Sequence, residues 1–329
     1  MRALVFGSGT WGTALAQVLA DNGHDVTVWG RDAAEIADLQ RGRNSRYFGD
    51  TPISDRLTAT TDLAGLGGEF DLLLLAVPTR AFFSVYPLVA PFLGERTVLV
   101  NAAKGFEPGT GKRLSVALRD AFCDRPFRGV VSLVGPSHAE EVVLRMLTSL
   151  AAVSEDAALA AEVQTAFSND YLRVYVTDDV VGAEYGVAIK NIIALASGML
   201  EGRGFGDNAK AALITRGLAE TVRYGVLRGG RRDTFFGLTG VGDLIVTCFS
   251  PHSRNYQAGL LIGRADSAEA LAGLSMTVEG IDSCREVAED ARRAGVEMPI
   301  VFAVFSVLFE GVAPSEAIKA LMRRPLREE

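Results

Sequence analysis

The sequence has few cysteines and no long run of apolar residues. Cys123, Cys248 and Cys284 are scattered without metal-like spacing, which predicts no disulfide framework, no metal site and a reducing compartment. The longest charge-free apolar stretches, such as 72–78, are well short of a membrane span. Met1 is followed almost directly by a strand-like segment, which predicts no signal peptide. We therefore expect a cytoplasmic protein with no membrane insertion.

Basic residues are also scarce relative to acidic ones. The 33 lysines and arginines face 40 aspartates and glutamates, so the formal net charge is −7. This balance argues against a nucleic-acid partner, whose binding surface would be basic. Only five of the 33 basic residues are lysine. Because arginine does not lose its proton in proteins, these few lysines are the candidates for amine chemistry.

The order of strands and helices divides the 329 residues into two parts. Residues 1–178 alternate helices with apolar strands, which predicts an α/β domain with a Rossmann-type, doubly wound parallel sheet. Residues 179–329 carry helical periodicity and no convincing strand, which predicts an all-helical domain. The predicted strands are 2–6, 25–29, 71–77, 97–101, 130–134 and 147–153, and the predicted helices of the second part are 184–200, 208–227, 253–263, 280–294 and 300–310.

A glycine-rich motif opens the chain. Gly7, Gly9 and Gly12 fit the pattern G-x-G-x-x-G, with Thr10 and Trp11 between the last two. The motif follows an apolar strand, begins a helix and precedes a second strand, which is the context of a dinucleotide site. The glycines permit the tight turn, the approach of a pyrophosphate and close helix packing. A nicotinamide cofactor is the prediction.

The end of the second strand indicates which cofactor is preferred. NAD enzymes usually place an acid there for the ribose 2′-hydroxyl, whereas an arginine accommodates a 2′-phosphate. This chain has Arg31, with Asp32 immediately behind it. We predict use of NADP(H), alone or together with NAD(H). A solvated surface arginine is the alternative.

Lys190 lies in the middle of a segment that is apolar around nearly its whole circumference. A buried, unpaired ammonium is costly, so this lysine is either paired with a carboxylate for structural reasons or serves as a catalytic amine. Residues at four-residue spacing from Lys190, namely Gly182, Gly186, Ala194 and Gly198, form a strip of small side chains. That strip leaves room for another helix or a ligand.

Other candidates follow predicted strands or begin predicted helices. Lys104 and the Gly135-Pro136-Ser137 turn come after strands, at the edge where α/β sheets bind ligands. Asp243 follows a flexible, glycine-rich turn, and Ser253-Arg254-Asn255 begins a helix. Free N–H groups, a guanidinium and an amide together suit a phosphate. His138 is a lone histidine, which is more often structural than catalytic.

Several blocks in this order resemble bacterial NAD(P)-dependent glycerol-3-phosphate dehydrogenase, over nearly the whole chain. They are Gly-Ser-Gly-Thr-Trp-Gly-Thr-Ala at 7–14, Ala-Lys-Gly-Phe-Glu at 103–107, Gly-Pro-Ser-His-Ala-Glu-Glu-Val at 135–142, Ile-Lys-Asn-Ile-Ile-Ala at 189–194, Gly-Asp-Asn-Ala at 206–209, Thr-Arg-Gly-Leu at 215–218, Gly-Val-Gly-Asp-Leu at 240–244, Ser-Arg-Asn at 253–255, Val-Glu-Gly at 278–280 and Met-Pro-Ile at 298–300.

The resemblance implies reversible reduction of dihydroxyacetone phosphate to sn-glycerol 3-phosphate, a product that supplies phospholipid synthesis. It also implies that the helical second domain binds the substrate and carries the catalytic residues. It implies a proton-transferring role for Lys190, with Asp243 beside it. The implied substrate contacts are Lys104, Gly135, Ser137, Lys190, Asp243, Ser253, Arg254 and Asn255. The implied cofactor contacts, which join Gly7, Gly9 and Gly12, are Thr10, Trp11, Arg31, Lys104, Ala139, Arg254 and Glu279.

Two positions depart from the usual family pattern. His138 stands where Phe is common, and Ala103 precedes Lys104 where Ser is usual. Neither change removes an acid, base or anion-binding group. The rival interpretations are another two-domain reductase, of the ketopantoate reductase or β-hydroxyacid dehydrogenase type, and a non-catalytic dinucleotide sensor. The apolar helices of the second domain either form its core or bury a homodimer interface.

Overall fold

The computed structural model describes residues 1–273 and 277–326. The chain forms two compact units. The first comprises Met1–Glu107 and Lys112–Val180, and the second comprises Pro108–Gly111 and Val181–Glu329. The boundary that the sequence predicts after residue 178 lies beside this change of unit. The short segment 108–111 groups with the second unit although it interrupts the first in sequence.

The first unit contains one sheet of eight strands. They are β1 (Arg2–Phe6), β2 (Asp25–Trp29), β3 (Leu57–Thr60), β4 (Leu72–Leu75), β5 (Val98–Asn101), β6 (Gly129–Val134), β7 (Thr148–Val153) and β8 (Leu172–Thr177). Their order across the sheet is β3-β2-β1-β4-β5-β6-β7-β8. The connecting helices are α1 (Thr10–Asp21), α2 (Ala33–Leu39), α3 (Ser45–Phe48), α4 (Phe82–Val89), α5 (Leu114–Ala121), α6 (Ala139–Val143) and α7 (Ala157–Phe167). The predicted α/β class with a doubly wound sheet is confirmed.

The sheet differs from the prediction in three details. The predicted strands do not include β3 and β8, which are the two edge strands. Polar or charged side chains interrupt both strands, Thr58 in β3 and Arg173 in β8, so neither strand has a continuous apolar run. The sheet is mostly parallel, as predicted, but β6 and β7 pair antiparallel. The segment between them holds only the five-residue α6, which is too short for a normal crossover helix.

The central strands are buried on both faces of the sheet. In β4, Leu72 and Leu74 join one apolar cluster, which includes the inner face of α1. Leu73 and Leu75 join the other, together with Phe82. Burial of each such side chain contributes about 2 kcal/mol. The alternation of four leucines between two cores fixes the register of β4 and holds the strand ends in place.

Helices make up the second unit, and no strand occurs among its described residues. They are α8 (Val180–Gly202), α9 (Asp207–Leu227), α10 (Asp243–Phe249), α11 (Arg254–Ala265), α12 (Glu279–Arg293), α13 (Pro299–Phe309) and α14 (Pro314–Met322). By length and composition α8 qualifies as a membrane-crossing helix, but 89% of its most apolar window is buried within the structure. That burial is typical of a core helix.

Glycines bring α8 and α11 into close contact. A Cβ at Gly198 would lie 2.1 Å from the carbonyl oxygen of Tyr256, and one at Gly202 would lie 2.6 Å from a carbonyl of α11. The facing residues are Gly259 and Gly263, whose added Cβ atoms would likewise meet the α8 backbone. The strip of small side chains predicted around Lys190 therefore accommodates another helix, α11, at its Gly198 end.

The structure also corrects the prediction around Asp243. The residues before it form a π-helical turn, Leu238–Gly242, rather than a flexible turn, and they lead directly into α10. The predicted helices include neither α10 nor α14. The glycines at 237, 240 and 242 mask the start of α10 in the sequence, because glycine disfavours helix.

Candidate active site

The glycine-rich loop connects β1 to α1 with the geometry that a dinucleotide site needs. Gly7 has a φ of +125°, and a Cβ there would lie 2.6 Å from the carbonyl oxygen of Ala76. A Cβ at Gly12 would lie 2.0 Å from the carbonyl oxygen of Gly7, so the helix packs directly on the turn. At Gly9 a Cβ would enter open space. A bulky phosphate group fits over that position.

The start of α1 offers hydrogen-bond donors. No side chain caps the helix at Gly9, so the N–H groups of its first turn have no acceptor within the helix. The indole Nε1 of Trp11 is buried and has no hydrogen-bond acceptor among the described residues. Together with the positive end of the helix dipole, the N–H groups of the first turn suit the pyrophosphate of a nicotinamide dinucleotide.

Beyond the end of β2, Arg31 is exposed and makes no ion pair within the part of the chain that the structure describes. Asp32 behaves differently, because its Oδ1 accepts hydrogen bonds from the backbone N–H groups of Ala34, at 2.9 Å, and Glu35, at 3.3 Å. Asp32 is thus the N-cap of α2. The two neighbouring residues are therefore not equivalent: one points a cation outward and the other holds a helix end.

Three predicted residues meet at the carboxyl ends of β5 and β6. The Nζ of Lys104 donates a hydrogen bond to the carbonyl oxygen of Gly135 at 2.7 Å, and the hydroxyl of Ser137 donates to the same oxygen at 3.1 Å. Gly135 has a φ of +145°, and a Cβ there would lie 3.2 Å from Leu150 Cα. Ala139 begins α6 just beyond this cluster. An ammonium and a hydroxyl are thus placed together at the ligand-binding edge of the sheet.

In the second unit, Lys190 of α8 is paired with Asp243 of α10. The side chain of Lys190 is 6% exposed and that of Asp243 is fully buried. The ammonium donates a hydrogen bond to the carboxylate and another to the hydroxyl of Thr247, at 2.9 Å. That hydroxyl in turn donates to the carbonyl oxygen of Asp243 at 2.6 Å. The lysine is therefore held by two oxygen acceptors in an otherwise apolar region.

Asn255 lies at the centre of a second hydrogen-bond chain. The backbone N–H of Gly280 donates to its Oδ1 at 2.9 Å, and its Nδ2 donates to Oδ1 of Asn191, also at 2.9 Å. Because a backbone N–H can only donate, this chain fixes which way both amides point. It links α12, α11 and α8, and it places Glu279, the residue before Gly280, at the start of α12.

The helix start predicted at 253–255 has the expected cap. Ser253 accepts a hydrogen bond from the N–H of Tyr256 at 3.2 Å and is the N-cap of α11. Arg254 is exposed in the first turn of this helix, whereas Asn255 is buried. Since the amide of Asn255 is engaged by Asn191 and Gly280, an anion at this helix start would meet backbone N–H groups and Arg254 first.

Two polar residues of this unit, Thr247 and Asn191, are not among the site residues predicted from the sequence. Thr247 follows Asp243 by four residues, so it lies on the same face of α10, and that spacing was a usable signal. Asn191 adjoins Lys190 in the sequence, but its partners come from α11 and α12. His138 occupies the position before α6, and its side chain does not cap that helix.

Cys248 lies next to this constellation in the sequence but has no reactive character. Burial raises the pKa of its thiol to about 12, against a smaller opposing effect of the Lys190 charge. It is therefore a neutral thiol at physiological pH. The described residues also contain no group of three or more His, Cys, Asp and Glu side chains arranged to hold a metal ion.

Comparisons with known proteins match both parts of the chain. The family model for the N-terminus of NAD-dependent glycerol-3-phosphate dehydrogenase matches residues 3–160, and the model for its C-terminus matches residues 179–319. The chain is 46% identical to glycerol-3-phosphate dehydrogenase [NAD(P)+] of an Exiguobacterium species, over 99% of this chain and 96% of that protein. It is 45% identical to the protein of the same name from Enterococcus faecalis, over 100% and 97%.

A solved structure gives the same result in three dimensions. The crystal structure of glycerol-3-phosphate dehydrogenase from Coxiella burnetii superimposes with a TM-score of 0.88 at 33% sequence identity. The match covers 98% of this chain and 99% of that one.

Proposed function

The chain belongs to the NAD-dependent glycerol-3-phosphate dehydrogenase family, and from this premise we propose how its own residues carry the reaction. It is an oxidoreductase that reversibly reduces dihydroxyacetone phosphate to sn-glycerol 3-phosphate with NAD(P)H. The observation that carries the assignment of roles is the buried pair of Lys190 and Asp243, with Thr247 as a second acceptor.

Lys190 is the proposed acid and base. The bound nicotinamide supplies the hydride, and negative charge develops on the ketone oxygen as the carbon is reduced. The ammonium of Lys190 stabilises that oxygen and gives it a proton, which completes the alcohol. In the reverse direction the neutral amine takes the proton back. Asp243 keeps the amine charged and oriented between turnovers, and Thr247 fixes its position.

The start of α11 is the proposed binding site for the substrate phosphate. Ser253 caps the helix and leaves the other first-turn N–H groups available, while Arg254 adds a guanidinium. A phosphate held there fixes the ketone carbon relative to the reacting groups. The full set of proposed substrate contacts is Lys104, Gly135, Ser137, Lys190, Asp243, Ser253, Arg254 and Asn255.

The first unit is the proposed holder of the coenzyme. The open space at Gly9 and the donors of α1 support a pyrophosphate there, and exposed Arg31 supports NADP(H) over NAD(H). The proposed coenzyme contacts are Gly7, Gly9, Thr10, Trp11, Gly12, Arg31, Lys104, Ala139, Arg254 and Glu279. Lys104 and Arg254 thus have proposed roles toward both ligands.

We also propose a cytoplasmic location, a homodimer and a supply of glycerol 3-phosphate to phospholipid synthesis. The sparse, unlinked cysteines support the location, and exposed Cys123 is a free thiol. Ile245 and Phe249 support the dimer, because they lie four residues apart on α10 and are each 48% exposed. A second copy that covers them would remove apolar surface from water. Sedimentation velocity tests this state.

The experiment that tests the activity measures oxidation of NADPH with dihydroxyacetone phosphate and with ketopantoate in parallel. We expect turnover with the phosphorylated ketone and little with ketopantoate, because ketopantoate lacks the phosphate that α11 and Arg254 would hold. Equal turnover of the two substrates, or faster reduction of ketopantoate, would contradict the assignment.

A further inference from the structure

The carboxylate of Asp32 is already engaged by backbone N–H groups and by a guanidinium. Its Oδ1 accepts the two backbone N–H groups at the start of α2. Its Oδ2 pairs with the guanidinium of Arg46 at 3.2 Å. An acid near the end of the second strand is the usual recognition group for the 2′-hydroxyl of NAD. Here that acid is engaged on both oxygens.

Arg46 is anchored by a second acid beneath it. Its NH1 also pairs with Oε1 of Glu35 at 2.8 Å, and the Glu35 side chain is only 9% exposed. The other oxygen of Glu35 accepts a hydrogen bond from the hydroxyl of Ser8, in the glycine-rich loop, at 2.8 Å. Tyr47 donates to Glu35 as well, at 2.9 Å. The position of Arg46 is therefore tied to the loop that would hold the pyrophosphate.

The guanidinium of Arg46 remains open to a ligand. Its side chain is 64% exposed, and its ion pairs use NH1 alone, so NH2 and Nε keep their N–H donors for a ligand. Arg31, one residue before Asp32, is exposed too. The charges of the two arginines and the two acids sum to zero. Without Arg46 the local charge is −1, which repels a phosphate dianion.

We propose that Arg46 is a specificity-determining residue for the 2′-phosphate of NADP(H). It acts in two ways: it neutralises Asp32, which would otherwise favour a free 2′-hydroxyl, and it adds a second guanidinium beside Arg31. The proposal rests on the proposed use of the first unit as the coenzyme-binding domain. It assigns the preference for NADP(H) to a pair of arginines from separate segments rather than to Arg31 alone.

The test compares binding of two nucleotide fragments that differ only in the phosphate. Affinities for 2′-phospho-ADP-ribose and for ADP-ribose are measured by calorimetry on the wild type and on Arg46→Gln. Because Arg46→Gln loses a charge-assisted hydrogen bond at an exposed site, we expect its Kd for the phosphorylated fragment to be about tenfold higher than that of the wild type. We expect the Kd of Arg46→Gln for ADP-ribose to stay within about twofold of the wild-type value. Arg43→Gln is the matched control, because Arg43 is 57% exposed and its nearest acid is Asp50, at 3.9 Å.

Two results would overturn the proposal. One is an unchanged ratio of the two Kd values in Arg46→Gln. The other is an equal loss of affinity for both fragments, since this would show that Arg46 only supports the loop. Neither measurement uses dihydroxyacetone phosphate. A wild type that fails to reduce this ketone, while Arg46→Gln still changes the Kd ratio, would refute the proposed activity and leave the role of Arg46 standing.

Discussion

Glu220 provides a prediction whose size can be worked out from the structure. This glutamate of α9 is 3% exposed, and it accepts hydrogen bonds from the N–H groups of Ile300, at 2.8 Å, and Val301, at 3.3 Å. It therefore holds the start of α13. Burial raises its pKa from 4.5 to about 7, against the smaller lowering effect of these two hydrogen bonds.

The direction of the effect follows from proton linkage. The folded state binds the Glu220 proton more tightly than the unfolded state. The contribution to stability is fully present below pH 4.5 and is lost as the pH rises to about 7. At about 1.4 kcal/mol for each pH unit, this interval gives a loss on the order of 3 kcal/mol. Above pH 7 the loss is complete, and Glu220 no longer makes the unfolding free energy depend on pH.

Glu220→Gln cannot ionise and, like the protonated glutamate, keeps one carbonyl oxygen as an acceptor for the N–H groups at the start of α13. We expect the variant to gain about 3 kcal/mol of unfolding free energy relative to the wild type between pH 4.5 and pH 8. Urea unfolding at a series of pH values, followed by circular dichroism of the helices, measures this difference. Glu316→Gln is the control, because Glu316 is exposed on α14. Parallel stability curves for wild type and Glu220→Gln would refute the reasoning.

Two further predictions concern the helical unit. Asn255→Asp still accepts a hydrogen bond from the N–H of Gly280 but cannot donate one, so Asn191 must turn its amide around. We expect the KM for dihydroxyacetone phosphate to rise roughly tenfold. A change confined to kcat would contradict the role of this hydrogen-bond chain. Because burial raises the pKa of the Cys248 thiol, we expect iodoacetamide at pH 8 to alkylate exposed Cys123 and spare Cys248, with activity retained. Mass spectrometry of the alkylated protein measures this, and modification of Cys248 before Cys123 would contradict the prediction.

The parts that the sequence predicted well depend on local pattern. The glycine-rich loop has its glycines where a strand, a turn and a helix follow in order, and Gly7 and Gly12 prove to have steric reasons in the structure. Lys190 was identified from its apolar neighbours, which left a structural pair and a catalytic amine both open. The structure shows the pair, and the proposed function assigns a role in the reaction to it. The cap at Ser253 was likewise readable from one short segment.

The parts that the sequence did not predict depend on contacts between distant segments. Arg46 meets Asp32 and Glu35 only because α3 lies against the start of α2. Asn191 meets Asn255 only because three helices converge. The edge strands β3 and β8 lack an apolar run, since only one of their faces packs on the core. None of these partners has a fixed spacing along the chain, so periodicity carries no information about them.

The most direct test of the account is the turnover of Lys190→Ala with NADPH and dihydroxyacetone phosphate. Lys319→Ala is the control, because Lys319 is exposed on α14. Circular dichroism and the Kd for 2′-phospho-ADP-ribose check that both units remain folded. The account predicts a kcat about 10²- to 10⁴-fold below the wild type for Lys190→Ala and an unchanged kcat for the control. A folded Lys190→Ala enzyme that keeps more than about a tenth of wild-type turnover would contradict the role of Lys190 as the proton donor.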